Sequence, residues 1–393
     1  MINREKYIAP IRDFYDSDLI KVITGIRRCG KSVILGQIED EIRQKSDRVI
    51  SLNFEDRIVR RKIHNGDELI DYIDENKDDQ LWYVFLDEVQ NLPDWNEACK
   101  TLRLHGCSLF ITGSNSKLLS REFTKELSGR YVSFRVHPFV YQELIEYAAQ
   151  LNKEITITDY LIWGGFPGRL TLSSEEAMRT YLLDLDETIV VNDIINRYKI
   201  RKTDEFQRFV NFILICNARE FSFNSITGYM AAHGTKTSKT TIKKWMDYLE
   251  EAYVIQRIKP YSTKAKRELD YSFKLYNEDV AMNSIRVSNN RYDFSHNLEN
   301  IVLNELRYKG YEVSVFQNRG KEIDFFAQKN SKAYYVQVAL SVQEEKAYER
   351  EFSAFNKLDQ SNRKILITND DIDYSTSTVD HLKLRDFLLK KEL

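Results

Sequence analysis

The residues of this chain best equipped for chemistry begin with a glycine-bounded octapeptide. Positions 25–32 read Gly25-Ile26-Arg27-Arg28-Cys29-Gly30-Lys31-Ser32, followed by Val33. Two glycines at that separation let the backbone curl, so that consecutive N–H groups and the start of a helix face one anion. Lys31 would reach the β- and γ-phosphates of a nucleoside triphosphate, and the Ser32 hydroxyl would complete a Mg²⁺ shell. Residues 25–33 are therefore the expected cradle for ATP. A second segment supplies acids: the apolar run 81–86 ends in Asp87-Glu88. Mg²⁺ takes one or two carboxylates beside phosphates and keeps several waters, which suits Asp87 together with Ser32. Glu88 is placed to orient and deprotonate an attacking water. Hydrolysis, and not binding alone, is the expectation.

Two further segments offer partners for the γ-phosphate. A short apolar strand ends in Thr112-Gly113-Ser114-Asn115, where a hydroxyl or amide can hold the lytic water or the phosphate. Thr112, Ser114 and Asn115 all qualify, and residue types do not choose among them; Ser114 and Asn115 join Glu88 and Lys31 as catalytic candidates. Arg130, in Leu127-Ser128-Gly129-Arg130 ahead of a strand at 131–136, is a candidate sensor of the γ-phosphate in its own subunit or in a neighbour's.

These groups need elements to hold them. Residues 19–24 are largely apolar and β-branched, as a buried strand would be, and 31–44 return to helical spacing through Val33, Ile34, Leu35, Ile38 and Ile42. Strand, glycine loop and helix form the context that gives the octapeptide meaning. At 393 residues the chain supports two or three domains. Hydrophobic residues at 42% beside 30% charged residues fit a soluble protein. The N-terminus lacks the apolar stretch of a secretory signal. No apolar run approaches the roughly 20 residues that span a bilayer. A cytoplasmic protein with no membrane partner is expected. Cys29, Cys99, Cys107 and Cys216 show no paired spacing and read as reduced thiols. A net charge of −2 exerts no global pull on nucleic acid, so any such binding needs a local patch.

The order of phosphate loop, strand-Asp-Glu, strand-Thr-Gly-Ser-Asn, Gly-Arg, then Pro138-Phe139 and a helix resembles an AAA+-type ATPase module. More narrowly, the chain resembles bacterial and archaeal ATP-binding proteins that join this module to a C-terminal domain of unknown function. Those proteins carry a "GGFP" segment, present here as Gly164-Gly165-Phe166-Pro167. The resemblance implies that Pro167 contacts the nucleotide base from a helical lid. It covers essentially the whole chain and is most specific over the first 140 residues. Cys29 departs from the pattern by setting a thiol among phosphate-binding amides.

Beyond residue 140 the patterning changes three times. Residues 141–203 read as a helical lid and connector, with Leu182, Leu185, Ile189 and Val190 on one face. Residues 204–268 read as three helices followed by a β-hairpin at 252–255 and 258–261, the outline of a winged helix-turn-helix. Lys236, Lys239, Lys243 and Lys244 would present a phosphate-binding face to double-stranded DNA, with Lys264, Lys266 and Arg267 on the wing. Docking of a protein partner is the other use such a domain serves. Residues 269–393 give a helix at 298–306 and strands at 311–317, 322–327 and 333–340, an order that looks like the PD-(D/E)XK nuclease core. Glu299 and Asp324 match its acids. Gln337 and Ala339 stand where an acid and a lysine belong, so the nuclease would be disabled; a plain α/β domain with surface acids is the competing interpretation.

The expected fold class is α/β: a P-loop, AAA+-like parallel sheet with a helical lid, then winged-helix and restriction-nuclease-like domains. The expected activity is Mg²⁺-dependent ATP hydrolysis, coupled to rearrangement of the downstream domains at DNA. The alternative is a signalling ATPase that gates assembly with a protein partner or in a homo-oligomer.

Overall fold

The computed structural model describes residues 1–113, 129–261, 272–287, 289, 291–318 and 321–393. They divide into two compact units, Met1–Pro138 with Glu251–Tyr253, and Phe139–Glu250 with Val254–Leu393.

In the first unit, five strands form an all-parallel sheet: β1 (Ile20–Thr24), β2 (Val49–Asn53), β3 (Trp82–Asp87), β4 (Cys107–Thr112) and β5 (Tyr131–Arg135), in the order β2-β3-β4-β1-β5. Parallel neighbours require crossovers, and helices supply them here. These are α1 (Glu5–Arg12), ahead of β1, then α2 (Lys31–Arg43), α3 (Arg57–Lys62), α4 (Gly66–Glu75) and α5 (Trp95–Leu104). β1 and β4 are buried along their whole length, as the central position with helices on both faces demands. Val22, Val84, Leu86, Leu109 and Ile111 meet Leu69, Ile73, Ala98 and Leu102 in one core. Each such aliphatic side chain contributes roughly 1.5–3 kcal/mol. The register aligns Asn53 with Asp87 and Leu86 with Ile111, so the carboxyl ends of the inner strands share one edge. That edge is where ligands bind in open parallel sheets.

The second unit holds helices α6 (Tyr141–Gln150), α7 (Ile157–Trp163) and α8 (Glu175–Thr188), a π-helical turn at Ile189–Asn196, then α9 (Thr203–Ile215), α10 (Phe223–Ala232) and α11 (Lys239–Glu251). Trp245 of α11 packs on Phe206 and Phe209 of α9 at centroid distances of 5.4 and 5.3 Å, the kernel of the three-helix cluster. The hairpin differs from the sequence expectation. β7 (Ile255–Ile258) does not fold back on residues 258–261. It pairs antiparallel with β8 (Ser272–Asn277), which also pairs with β6 (Arg219–Ser222). The alternation Phe273, Leu275 against Ser272, Lys274 and Tyr276 carries that strand, and pairing across the intervening segment was invisible to a local pattern.

The last part of the unit runs α12 (Ala281–Ser284), α13 (Phe294–Tyr308), β9 (Glu312–Asn318), β10 (Lys321–Lys329), β11 (Lys332–Ala339), α14 (Glu345–Ala354), β12 (Arg363–Thr368), β13 (Asp380–Lys383) and α15 (Leu384–Leu389). Its sheet order is β13-β12-β11-β10-β9, antiparallel among β9, β10 and β11 and parallel from β11 to β13. Buried asparagines join this part to the three-helix cluster. Asn217, Asn277, Asn283, Asn297 and Asn300 exchange side-chain and backbone hydrogen bonds, including Asn277 Nδ2 to the Leu214 carbonyl at 2.9 Å. A buried network of this kind favours one arrangement, because a slip would strand further polar atoms beside Asn277 Oδ1, which already lacks a partner among the described residues.

Candidate active site

The phosphate loop of the first unit is shaped from behind. Gly25 leaves β1 with φ +148, and a Cβ there would lie 2.1 Å from the Val136 carbonyl oxygen, so only glycine fits. Gly30 has φ +101 and caps α2, while Arg28 between them is also left-handed at φ 64. Ile26 and Cys29 are buried, and Arg28 is exposed. The Cys29 thiol turns back to donate to the Val136 carbonyl at 3.4 Å, so it does not crowd the concave face. Lys31 starts α2, and its buried Nζ lies 3.2 Å from the carbonyl oxygens of both Gly25 and Ile26.

Arg4 is the residue that sequence reasoning missed here. It is 2% exposed. Its Nη1 donates to the Cys29 carbonyl at 2.9 Å and its Nη2 to the His137 carbonyl at 3.0 Å. Its backbone N–H reaches Gln37 Oε1 on α2. One guanidinium thus ties the loop to the chain leaving β5. Nothing in a solitary arginine near the N-terminus signals that task.

The acids lie at the carboxyl end of β3. Asp87 Oδ1 accepts from Ser32 Oγ at 3.1 Å and from Thr112 Oγ1; Oδ2 accepts from Asn53 Nδ2 at 3.1 Å. Glu88 turns away from the strand with φ 50, and its N–H donates to Thr112 Oγ1 at 3.0 Å. Its carboxylate accepts from Gln90 Nε2. The Thr112 hydroxyl therefore accepts from one acid's backbone and donates to the other's carboxylate. Of the three candidates at the end of β4, Thr112 orients the acid pair. Ser114 and Asn115 lie outside the described residues.

The remaining candidates fall elsewhere. Arg130 precedes β5, and its carbonyl accepts from Ile20 N at 3.0 Å, at the start of β1. The phosphate loop follows the other end of β1, roughly 13 Å away at about 3.3 Å per residue. Arg130 is therefore not brought to the loop of its own unit, which corrects the same-subunit version of that expectation. Arg135 is the β5 arginine in register with Thr24. Pro167 lies in the second unit, opening a 3₁₀ turn at Pro167–Thr171. The glycines before it have packing reasons. A Cβ on Gly165 would meet the Phe139 carbonyl oxygen at 1.9 Å, and one on Gly164, at φ +61, would meet Asp279 Oδ1 at 1.6 Å. Gly165 N donates to Asp279 Oδ2 at 2.7 Å, and Arg169 donates twice to the Gly164 carbonyl. Burial pushes the Asp279 carboxyl up to about 6. Lys236, Lys239, Lys243 and Lys244 are exposed, while Lys264, Lys266 and Arg267 lie outside the described residues.

A second group of acids surrounds a cation that no motif announced. Lys274 of β8 places Nζ 2.6 Å from Glu299 Oε1, 2.6 Å from Glu322 Oε1 and 3.3 Å from Asp324 Oδ1. The Tyr276 hydroxyl also donates to Glu299. Burial opposes the ammonium charge, but Asp324, Glu299 and Glu322 together raise its pKa above the usual lysine value. Burial and then Asp324 push Glu299 up to about 8. Gln337 accepts from Asp324 N and donates to Glu351, so its oxygen is already engaged. A positive charge therefore reaches these acids from β8, a strand outside the nuclease-like pattern of residues 298–340. Among the described residues, no set of three His, Cys, Asp or Glu side chains is arranged to hold a metal ion.

A parallel sheet with a glycine loop after the inner strand β1 and paired acids at the end of β3, two strands away across β4, defines an AAA+-like ATPase module. Residues 17–145 match the model of an AAA domain. Residues 155–290 and 294–387 match two domains of unknown function, DUF8612 and DUF4143. The chain is 31% identical over 390 residues to an uncharacterized protein of Haemophilus influenzae, covering 94% of this chain and 93% of that one. It is 30% identical over 386 residues to an uncharacterized protein of Methanocaldococcus jannaschii, covering 92% and 84%. The chain belongs to the family these two proteins represent. Among solved structures, a Walker-type ATPase of Pyrococcus abyssi is similar with a TM-score of 0.48 and 17% identity, covering 73% of this chain and 96% of that one. No helix among the described residues is long and apolar enough to cross a membrane.

Proposed function

We propose that this chain hydrolyses ATP at the edge of the first sheet and couples turnover to the second unit at DNA. The observation that carries the ATPase reading is the approach of the Ser32 hydroxyl to the Asp87 carboxylate, 3.1 Å across two elements. A hydroxyl and a carboxylate facing each other beside a phosphate loop suit a hard divalent cation, which prefers oxygen ligands. Ser32 and Asp87 would hold Mg²⁺, which neutralises phosphate charge when bound. The N–H groups of residues 25–33 bind the phosphates, and Lys31 supplies a point charge to them. Glu88, fixed by its backbone bond to Thr112, takes the proton of the attacking water. Arg130 is kept as a sensor only for a neighbouring subunit.

The DNA reading rests on the three-helix cluster with its β7–β8 hairpin, consistent with a winged helix, and on the exposed lysines of α11. The order of α13, β9, β10, β11, α14 and β12, with Glu299 and Asp324 facing each other, supports a degenerate nuclease-like domain. The test is Glu88→Gln: ATP affinity is retained while turnover falls about 10²–10⁴-fold, the range general-base catalysis contributes. Wild-type turnover in that variant would remove Glu88 from the reaction. Arg130→Ala should lose activity only if specific activity rises with protein concentration.

A further inference from the structure

The segment after β2 carries charge that no acid among the described residues pairs. α3 reads Arg57-Ile58-Val59-Arg60-Arg61-Lys62, with no buried residue. Only Val59 reaches toward the core. Ile58 is 64% exposed. Arg57, Arg60, Arg61 and Lys62 are exposed, and their side chains make no hydrogen bond or ion pair among the described residues. The acids nearest in sequence are otherwise arranged: Asp56 caps the helix by accepting from Ile58 N, and Glu68 is engaged with His64. Glu55 stays exposed at the helix entry. By contrast, Arg12, Arg43, Arg48 and Arg103 in the same unit all pair with carboxylates.

Arg57, Arg60 and Arg61 stand at i, i+3 and i+4, so their side chains share one face. Three of the four cations are guanidinium forks, whose planar donors match phosphate oxygens better than an ammonium does. A helix that buries nothing adds little to stability, so its charge is available for a partner. The helix is also connected to the acids. Asn53, three residues before its cap, donates from Nδ2 to Asp87 Oδ2, and Phe54 N donates to the Asp87 carbonyl at 2.9 Å. Movement of α3 therefore bears on the carboxylate expected to hold Mg²⁺.

We infer that α3 is a docking surface for the phosphate backbone of duplex DNA, and that its occupancy is felt at Asp87. This deepens the proposed action at DNA but does not use the α11 lysines. It is tested on the full chain, with a random-sequence duplex titrated by fluorescence anisotropy between 50 and 200 mM salt. The variant is Arg57→Ala with Arg60→Ala, Arg61→Ala and Lys62→Ala, and a parallel variant carries Lys236→Ala, Lys239→Ala, Lys243→Ala and Lys244→Ala. Each phosphate contact contributes about 0.9 to the slope of log K against log salt. The α3 variant should lose up to about 3.6 from that slope, and DNA should no longer change its ATP turnover, while turnover without DNA stays at the wild-type rate. Arg57→Lys with Arg60→Lys and Arg61→Lys should keep most of the slope, which separates charge from folding.

Unchanged DNA binding in the α3 variant would overturn the assignment, as would a wild-type protein that binds no duplex. Poly-glutamate competing as well as duplex at equal charge would assign the surface to an acidic protein instead, and also overturn it. Loss of slope confined to the α11 variant would uphold action at DNA and reject α3. Absence of ATP turnover in every protein would instead count against the ATPase reading.

Discussion

Asp87 in the first unit and Asp324 in the second are both buried carboxylates on inner strands, yet their charges are met in opposite ways. Asp87 is surrounded by neutral donors, the hydroxyls of Ser32 and Thr112 and the amide of Asn53. Hydrogen bonds orient it without cancelling its charge. Asp324 shares the ammonium of Lys274 with Glu299 and Glu322. Its cation is covalently part of the chain. The first arrangement leaves work for a cation from solution; the second has already done that work internally. Under the proposed function, a site for chemistry and a site for cohesion contain the same residue types and differ in the donors around them.

The largest effect should come from the first site. Asp87→Asn keeps the hydrogen-bonding shape but removes the charge, and ATP turnover should fall at least 100-fold with the melting temperature nearly unchanged. A coupled phosphate-release assay and calorimetry on one sample measure both. A large loss of stability with retained turnover would erase the distinction between the sites.

Lys274→Met reverses the pattern. Removing one partner from a buried ion cluster costs about 3–5 kcal/mol, which denaturant unfolding of the full chain would register as early loss of the second unit. The loss should be smaller at pH 5 than at pH 8. With the ammonium gone, Glu299 and Asp324 can take up protons, and their pKa values already lie above the ordinary carboxylate range. Equal losses at the two pH values would mean that packing, and not charge, holds the cluster.

The second site should also be silent as a nuclease. No Mg²⁺- or Mn²⁺-dependent cleavage of duplex, single-stranded or branched DNA is expected, because Lys274 already occupies the carboxylates of Glu299, Glu322 and Asp324. Cleavage that disappears on Asp324→Ala would show a live metal centre.

The smallest effect concerns Lys21, a lysine buried in β1 without a carboxylate in contact. It donates to Ser108 Oγ at 2.7 Å and to the Ser17 carbonyl at 3.0 Å, and burial pushes its pKa down to about 7. The unfolded chain holds that proton up to about pH 10.5, the folded chain only to about pH 7. Between these values the unfolded state binds more protons, so stability rises with pH, and below about pH 7 the penalty is fully present. Lys21→Met should flatten that rise and stabilise the first unit at neutral pH. A variant with the wild-type pH profile would place the titration elsewhere.

Local pattern carried much of this molecule. The strand-loop-helix of residues 19–44 was legible because glycine spacing and β-branched runs are properties of adjacent residues. So were α9, α11, α13 and the strands β9 to β11, whose periodicities are strong. β8 was not legible as a sheet partner, and with it went Lys274, because its partners Glu299, Glu322 and Asp324 follow 25 to 50 residues later in the chain.

What the sequence determined by itself was the chemistry available at the phosphate loop. Gly25, Gly30, Lys31 and Ser32 act within one turn, and Asp87-Glu88 end a strand that can only be buried. The tertiary structure decided which other groups act with them. Arg4, 25 residues from Cys29 and 133 from His137, holds the loop. Thr112 joins the two acids, and the parallel register sets Arg130 at the opposite edge of the sheet. A side chain's type is fixed locally, but its partners and its charge state depend on which distant backbone and which dielectric the fold brings to it.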